Sequence, residues 1–220
     1  MLKYGDKYSA EDVNRIVYET GKKYSYACLT DDPVNLDPCI KIIPLPEEVE
    51  GHWIKIWMYS LQNLGDILYL DLDIRIQKNI DHLWNYIDDT PTIVYTYWKD
   101  EGFPDIQGNT HSMRYLSNYN SSAVLWKSGK TDHIWQSFKE DFDYYVVKYW
   151  GDDRFLWHEG IEMNRFPKGE FYSFVYGADF YGDNTCFKYR PEYTIALLNG
   201  QEQFPGSDKR YDELHMHKVG

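Results

Sequence analysis

Asp71 and Asp73 follow the apolar run Ile67-Leu-Tyr-Leu70, and their spacing is the first feature of this chain that could do chemistry. A run of this length after Gly65 reads as a strand buried on both faces of a parallel sheet. In open α/β sheets ligands bind beyond the carboxyl ends of strands, which is where the pair falls. Two hard oxygen ligands one residue apart suit Mg²⁺ or Mn²⁺ holding a diphosphate. The string alone is weak, because Asp141-Phe-Asp143 repeats it in a stretch that reads as helix end and loop. The strand before the first pair and the segment Ile76-Gln-Lys-Asn-Ile-Asp-His-Leu-Trp84 behind it set that pair apart.

Two further stretches carry polar groups at element boundaries. Tyr119-Asn-Ser-Ser-Ala-Val-Leu-Trp126 runs from small polar residues into a buried strand, and short side chains such as Asn120 and Ser121 can donate to or accept from hydroxyl groups. An ordinary strand start has the same composition. Trp150-Gly-Asp-Asp-Arg-Phe-Leu-Trp157 opens a helix at a glycine turn with Asp152 and Asp153 in its first turn. Acids there are favourable with the helix dipole whether or not they do anything else.

The surrounding elements must present these groups together. Ser9 caps a helix whose stripe is Val13, Ile16 and Val17 and whose stop is Gly21, and a strand follows over Tyr24–Leu29. With the short segment 1–8 this makes a strand–helix–strand opening. The proline-containing stretch 34–50 reads as a loop with a short edge strand at most, and His52–Leu64 as a helix ended by Gly65. A short helix ends near Tyr86, Pro91–Trp98 is β-rich, and Thr131–Phe142 is an amphipathic helix. Residues 99–118 form a long polar loop of the kind that covers or shapes a site, and Thr194–Gln201 is a last strand breaking at a glycine.

Composition bounds the rest. At 220 residues the chain is expected to be one domain with a sizeable core. Its net charge of −12 repels nucleic acid and anionic membrane surfaces, and repels a nucleotide diphosphate unless a cation stands between them. Three cysteines without C-x-x-C spacing argue against a disulfide framework or zinc site and fit a reducing compartment. With no apolar signal core and no run of transmembrane length, the expectation is a cytoplasmic protein, with an isologous homodimer as the default assembly.

The run around Asp71 resembles the hhhh-D-x-D-hhh-xx-N-I-D-x-L-W signature of GT-A-fold nucleotide-sugar glycosyltransferases, especially the family-8-like group. The resemblance implies a single minimal GT-A domain over 1–220, Rossmann-like, with a mostly parallel central sheet flanked by helices and no separate acceptor or membrane domain. It implies transfer of a hexose from a nucleotide sugar, in the first instance a UDP-hexose, to a soluble acceptor hydroxyl. Asp71 and Asp73 would hold Mn²⁺ or Mg²⁺, with Leu72 between them at the donor. The opening is similar to the group's K-W-G-x-K-Y start, with Tyr4 in the tryptophan position, which places Lys3, Tyr4, Gly5 and Tyr8 near base and ribose. Lys55 falls where the group has a basic residue reaching the diphosphate or sugar, while the residue by itself reads rather as a solvated lysine. Asn120 and Ser121 match its F-N-[AS]-G segment, with Ser122 replacing glycine. Asp152 matches a sugar-binding acid and Asp153 stands where the group has Gln, facing the reacting carbon. That departure leaves a retaining outcome, or an inverting one with Asp153 as base, both open. Asn199-Gly200 replaces a His-Gly whose histidine is the third protein metal ligand, so Asn199, His215 and His217 all stay candidates. Two other readings compete. Asp71-x-Asp73 also resembles the opening of haloacid-dehalogenase-type phosphatases, although Arg75 occupies their Thr or Val position. A GT-A relative that binds nucleotide or glycan without transfer is the non-enzymatic one.

Overall fold

The computed structural model describes residues 1–99, 117–178, 186–199 and 205–219, with side chains through residue 216. Strand β1 (Leu2–Lys3), helix α1 (Ala10–Glu19) and strand β2 (Tyr26–Thr30) form the expected opening, with β1 and β2 parallel. Ser9 and Asp12 make a reciprocal capping box at the start of α1, and Val13, Ile16 and Val17 are its buried face. Strand β3 (Ile40–Ile43) joins β2 in parallel, supplying the short edge strand of the proline-containing stretch.

The helix expected over 52–64 is shorter and irregular. A 3-10 turn at 51–53, helix α2 (Ile54–Trp57) and a second 3-10 turn at 58–60 end where Leu61 turns to extended backbone. Asn63 and Gly65 then take positive φ, which no right-handed helix admits, and turn the chain into β4 (Asp66–Leu70). Strand β5 (Ile74–Ile76), a 3-10 segment over 81–86 and β6 (Thr92–Tyr95) follow. The long-loop expectation over 99–118 lies almost wholly outside the described residues. Strand β7 (Tyr119–Lys127), helices α3 (Asp132–Glu140) and α4 (Phe142–Lys148), and α5 (Asp152–His158) come next. The second Asp-x-Asp string, Asp141-Phe-Asp143, sits at the α3–α4 junction with both acids exposed. Strands β8 (Asn164–Arg165), β9 (Phe171–Ser173) and β10 (Ile195–Leu197) and helix α6 (Ser207–Val219) complete the chain. No signal in the tail pointed to α6.

The strands are ordered β1-β2-β3, β4-β7-β6-β8 and β5-β10-β9. The α/β class holds, but the sheet is mixed. Strand β4 pairs with β7 antiparallel, as do β6 with β7 and β5 with β10, while the other pairings described are parallel. A continuous apolar run reports burial on two faces and says nothing of strand direction. The period-2 alternation of β7 divides the core: Val124 and Trp126 join Trp53, Ile54, Phe138 and Phe155, while Ala123 and Leu125 join Val13, Ile16, Leu70 and Trp98. A smaller cluster of Tyr172, Phe174, Leu198 and Tyr211 lies under α6. No helix among the described residues is long and apolar enough to cross a membrane.

Candidate active site

The carboxyl end of β4 and the amino end of β7 meet, because the Asp71 backbone N–H donates to the Ser122 carbonyl at 2.8 Å. That bond extends the β4–β7 ladder one residue and fixes where Asp71 emerges. Residues two apart on a strand share a face, so Tyr69 lies beside Asp71 and its hydroxyl donates to the Asp71 carboxylate at 2.5 Å. The Lys55 ammonium, delivered by α2, is 2.8 Å from the same carboxylate and donates to Ser121 Oγ at 3.2 Å. Asp152, in the first turn of α5, is only 5% exposed, and its Oδ2 has no hydrogen-bond partner. Lys55, Tyr69, Ser121 and Asp152 line one small cavity with Met58, Tyr59, Val124 and Trp126. Elements far apart in sequence thus bring Lys55, Asp71, Ser121 and Asp152 to one place.

Asp73 is fixed from the other side. Its carbonyl accepts from the Leu198 N–H at 2.8 Å, which brings the end of β10 and hence Asn199 next to it. Tyr8 faces Asp73: burial first, then the Asp73 charge, hold the Tyr8 phenol protonated. The intervening Leu72 is buried, and its carbonyl accepts from Arg15 Nη2 at 2.7 Å. Arg15 Nη1 donates to the Ile74 carbonyl at 2.9 Å and to Glu19 at 3.0 Å. Helix α1 therefore clamps the backbone between and behind the two aspartates. Arg15 carried no signal in the sequence beyond an i,i+4 pair with Glu19. Tyr69 was legible from its spacing but passed as part of an apolar run.

The electrostatics follow from crowding acids in a poorly solvated corner. Burial, then the neighbouring Asp71 charge, raises Asp73 above the usual carboxylate range. Burial pushes Asp152 up to about 6, against the pull of Lys55. Burial works against the Lys55 charge, but Asp71 and Asp152 more than offset it and keep the ammonium protonated. His52, another residue with no signal, has a buried Nε2 without a partner and is held neutral by burial and by Lys55.

The other candidate residues are placed as follows. Lys3 is buried in β1, with its ammonium on the Asp32 carbonyl at 3.1 Å and carboxylate at 3.4 Å. Gly5 has φ +57 and donates its N–H to Asp31, while Tyr4 packs on the Trp53 side of the core. Asn120 Oδ1 accepts the Ser122 N–H at 3.0 Å within β7, where the register against β6 shifts. Asp153 turns its carboxylate back over Gly151, where an added Cβ would meet Oδ1 at 2.9 Å. Asn199 Oδ1 accepts from Ser173 Oγ at 2.8 Å. His215 stacks near Tyr189 and Tyr211 on α6, with neighbours other than those of Asp71 and Asp73. Gly200 and the His217 side chain lie outside the described residues.

No family model matches the chain, and no curated protein matches it. Among solved structures it is similar to the galactosyltransferase LgtC in complex with donor and acceptor sugar analogues. The TM-score is 0.61 at 12% identity, covering 98% of this chain and 95% of that one. An active-site mutant of LgtC matches with TM-score 0.59, 12% identity and the same coverage. The fold is therefore the GT-A fold that the signature around Asp71 implies.

Proposed function

We propose that this protein is a glycosyltransferase that moves a hexose from a UDP-sugar to an acceptor hydroxyl, with Mn²⁺ or Mg²⁺ held by Asp71 and Asp73. The observation that carries the reading is the convergence of Lys55, Asp71, Ser121 and Asp152 at the end of β4 within a GT-A frame. The donor set fits a hard cation in part. Two carboxylates adjoin, and burial together with the Asp71 charge disfavours charge on Asp73 unless a cation is shared. No cluster of three His, Cys, Asp or Glu exists among the described residues, so the remaining ligands would be water, diphosphate oxygens and the Asn199 amide oxygen. Asp71 and Asp73 would hold the cation, and it would supply neutralisation of charge developing on the leaving diphosphate, a contribution on the order of several kcal/mol to the barrier.

The protein's own groups supply the rest. Lys55 adds a fixed positive charge beside Asp71 and Ser121, in a corner where burial strengthens it. Asp152 lines the cavity and keeps one oxygen without a hydrogen-bond partner, which, once ionised, would accept a hydrogen bond from a sugar hydroxyl. Ser121 Oγ offers a second polar contact on the same wall. The phosphatase reading loses ground, because the Asp71 oxygens are occupied by Lys55 and Tyr69 and so are poorly free to attack. Binding without transfer stays the second reading, favoured by an asparagine already engaged by Ser173 at the expected third-ligand position.

Calorimetric titration with UDP and UDP-glucose, in Mn²⁺ and then in EDTA, tests the proposal. Binding should need the metal and vanish in Asp73→Asn. Binding that EDTA leaves untouched sinks the metal assignment, and no binding in either condition sinks the UDP-sugar reading.

A further inference from the structure

Two buried polar atoms beside the candidate site have no protein partner. Asp152 Oδ2 and Trp126 Nε1 make no hydrogen bond, in residues only 5% and 2% exposed. An ionised carboxylate only accepts and an indole N–H only donates, so the two atoms are complementary halves of one hydrogen-bonding requirement. Burial takes from each the hydrogen bond that water gave it, and such atoms in a folded protein call for an occupant. Both residues line the small cavity at the end of β4, and that cavity is not sealed.

The wall of the cavity is set by an irregularity in β7. Strand alternation puts Val124 and Trp126 on one face and would send Ser121 to the other. The register against β6 breaks there, with Ile93 opposite Val124 and Val94 opposite Asn120, so that Ser121, Ser122 and Ala123 bulge. Ser121 thereby joins Val124 and Trp126 on the cavity wall, as bulges re-aim side chains beside sites. Its hydroxyl is already engaged, accepting from Lys55 at 3.2 Å and bonding to the Asp152 carboxylate. The Lys55 ammonium is shared between Asp71 and Ser121, and the Tyr69 hydroxyl donates to Asp71. One acceptor and one donor are left over.

Space supplies the other half of the specification. The cavity has room for one water-sized group. A hydroxyl has that size and both donates and accepts, so a single one satisfies both atoms. An ammonium would only donate and a carbonyl only accept, while an amide has both functions but needs more room.

We propose that this cavity receives a single hydroxyl of the donor sugar, which donates to Asp152 Oδ2 and accepts from Trp126 Nε1. Trp126 is then a specificity-determining residue that neither its spacing nor its place in an apolar strand marks. Given the UDP-sugar reading, on which this rests, the site tests one position of the sugar for a hydroxyl and for nothing larger. Sites of this kind reject the analogue lacking the group, because their own buried atoms are then left unpaired.

The probes are UDP, UDP-glucose, UDP-galactose and the deoxy and O-methyl analogues of whichever sugar binds, titrated into the full chain with Mn²⁺. The sugar nucleotide should shift the Trp126 indole N–H resonance and slow its solvent exchange, where UDP alone does neither. One deoxy analogue, and the O-methyl analogue at the same position, should bind about tenfold or more weakly than the intact sugar nucleotide. In Trp126→Phe the deoxy penalty at that position should shrink to about threefold or less, while penalties elsewhere stay. Should that variant not fold, benzothienylalanine at position 126 keeps the shape, lacks the N–H and is read the same way. UDP binding with a Trp126 resonance that ignores both sugars leaves the cavity to water; it overturns the pocket while the UDP-sugar reading stands. A deoxy penalty spread evenly over all positions, or one that survives loss of the N–H, overturns the role of Trp126. No binding of UDP or of either sugar nucleotide sinks the UDP-sugar reading itself, and the pocket with it.

Discussion

The Lys55 ammonium is shared between groups that could not stand together without it. Removing it by Lys55→Met leaves Asp71 and Asp152 with an uncompensated charge in a poorly solvated corner. Loss of one partner of such a buried pair should cost about 3 kcal/mol by chemical denaturation, and adding Asp71→Asn should recover part of it. Asp152 makes the complementary case. Its folded-state pKa of about 6 lies above the usual aspartate value of 3.8, so the native state holds more protons than the unfolded chain between those values. The stabilising effect of the neutral form is complete below about pH 3.8 and is lost as pH rises through 6. Asp152→Asn should therefore flatten the fall in stability between about pH 4 and 6 and raise stability at pH 7 by about 1–3 kcal/mol. The same variant should abolish sugar transfer, and in the parent kcat/KM should climb as pH passes 6, where Asp152 ionises. A flat pH profile with unaltered transfer in Asp152→Asn removes that residue from the site.

At the scale of elements, the candidate site depends on α1 as much as on the strands beside it. Arg15 holds the Leu72 and Ile74 carbonyls, and a charged hydrogen bond is worth about 1.5–3 kcal/mol. Arg15→Ala should loosen the segment between the two aspartates and weaken Mn²⁺ binding about 10–100-fold in titration, as outer-shell losses do. Arg15→Lys should retain only part of the effect, since an ammonium lacks the fork that reaches two carbonyls. These contacts mark the limit of what the sequence made legible. The capping box at Ser9, the strands flanking Asp71 and Ser121, and the helix opening at Gly151 all have local causes, and each appears where local patterning puts it. The antiparallel sense of β7 against β4, the early end of α2 and helix α6 did not follow. The first is set by chain connectivity, the second by the turn to extended backbone at Leu61, and the third by packing of Tyr211 on Phe174. Arg15 was out of reach for a related reason: its partners lie 57 and 59 residues away, beyond any spacing rule.

Over the whole molecule, a net charge of −12 surrounds a site proposed to bind a divalent cation and, through it, an anionic donor. The field should draw the ion in and hold the free nucleotide off, and both effects are screened over a Debye length of about 10 Å at 0.1 M salt. Raising salt from about 20 mM to 500 mM should thus weaken Mn²⁺ affinity, measured at fixed pH by titration. An affinity that ignores salt points to purely local coordination. The ammonium between Asp71 and Asp152 has one more consequence at this scale. It is a counter-ion built into the chain, so emptying the site does not leave bare acids to push the fold apart. On the proposed reading, a cell starved of manganese would keep a reserve of intact, idle protein. That reserve returns to work when the ion does, with no new synthesis and no refolding.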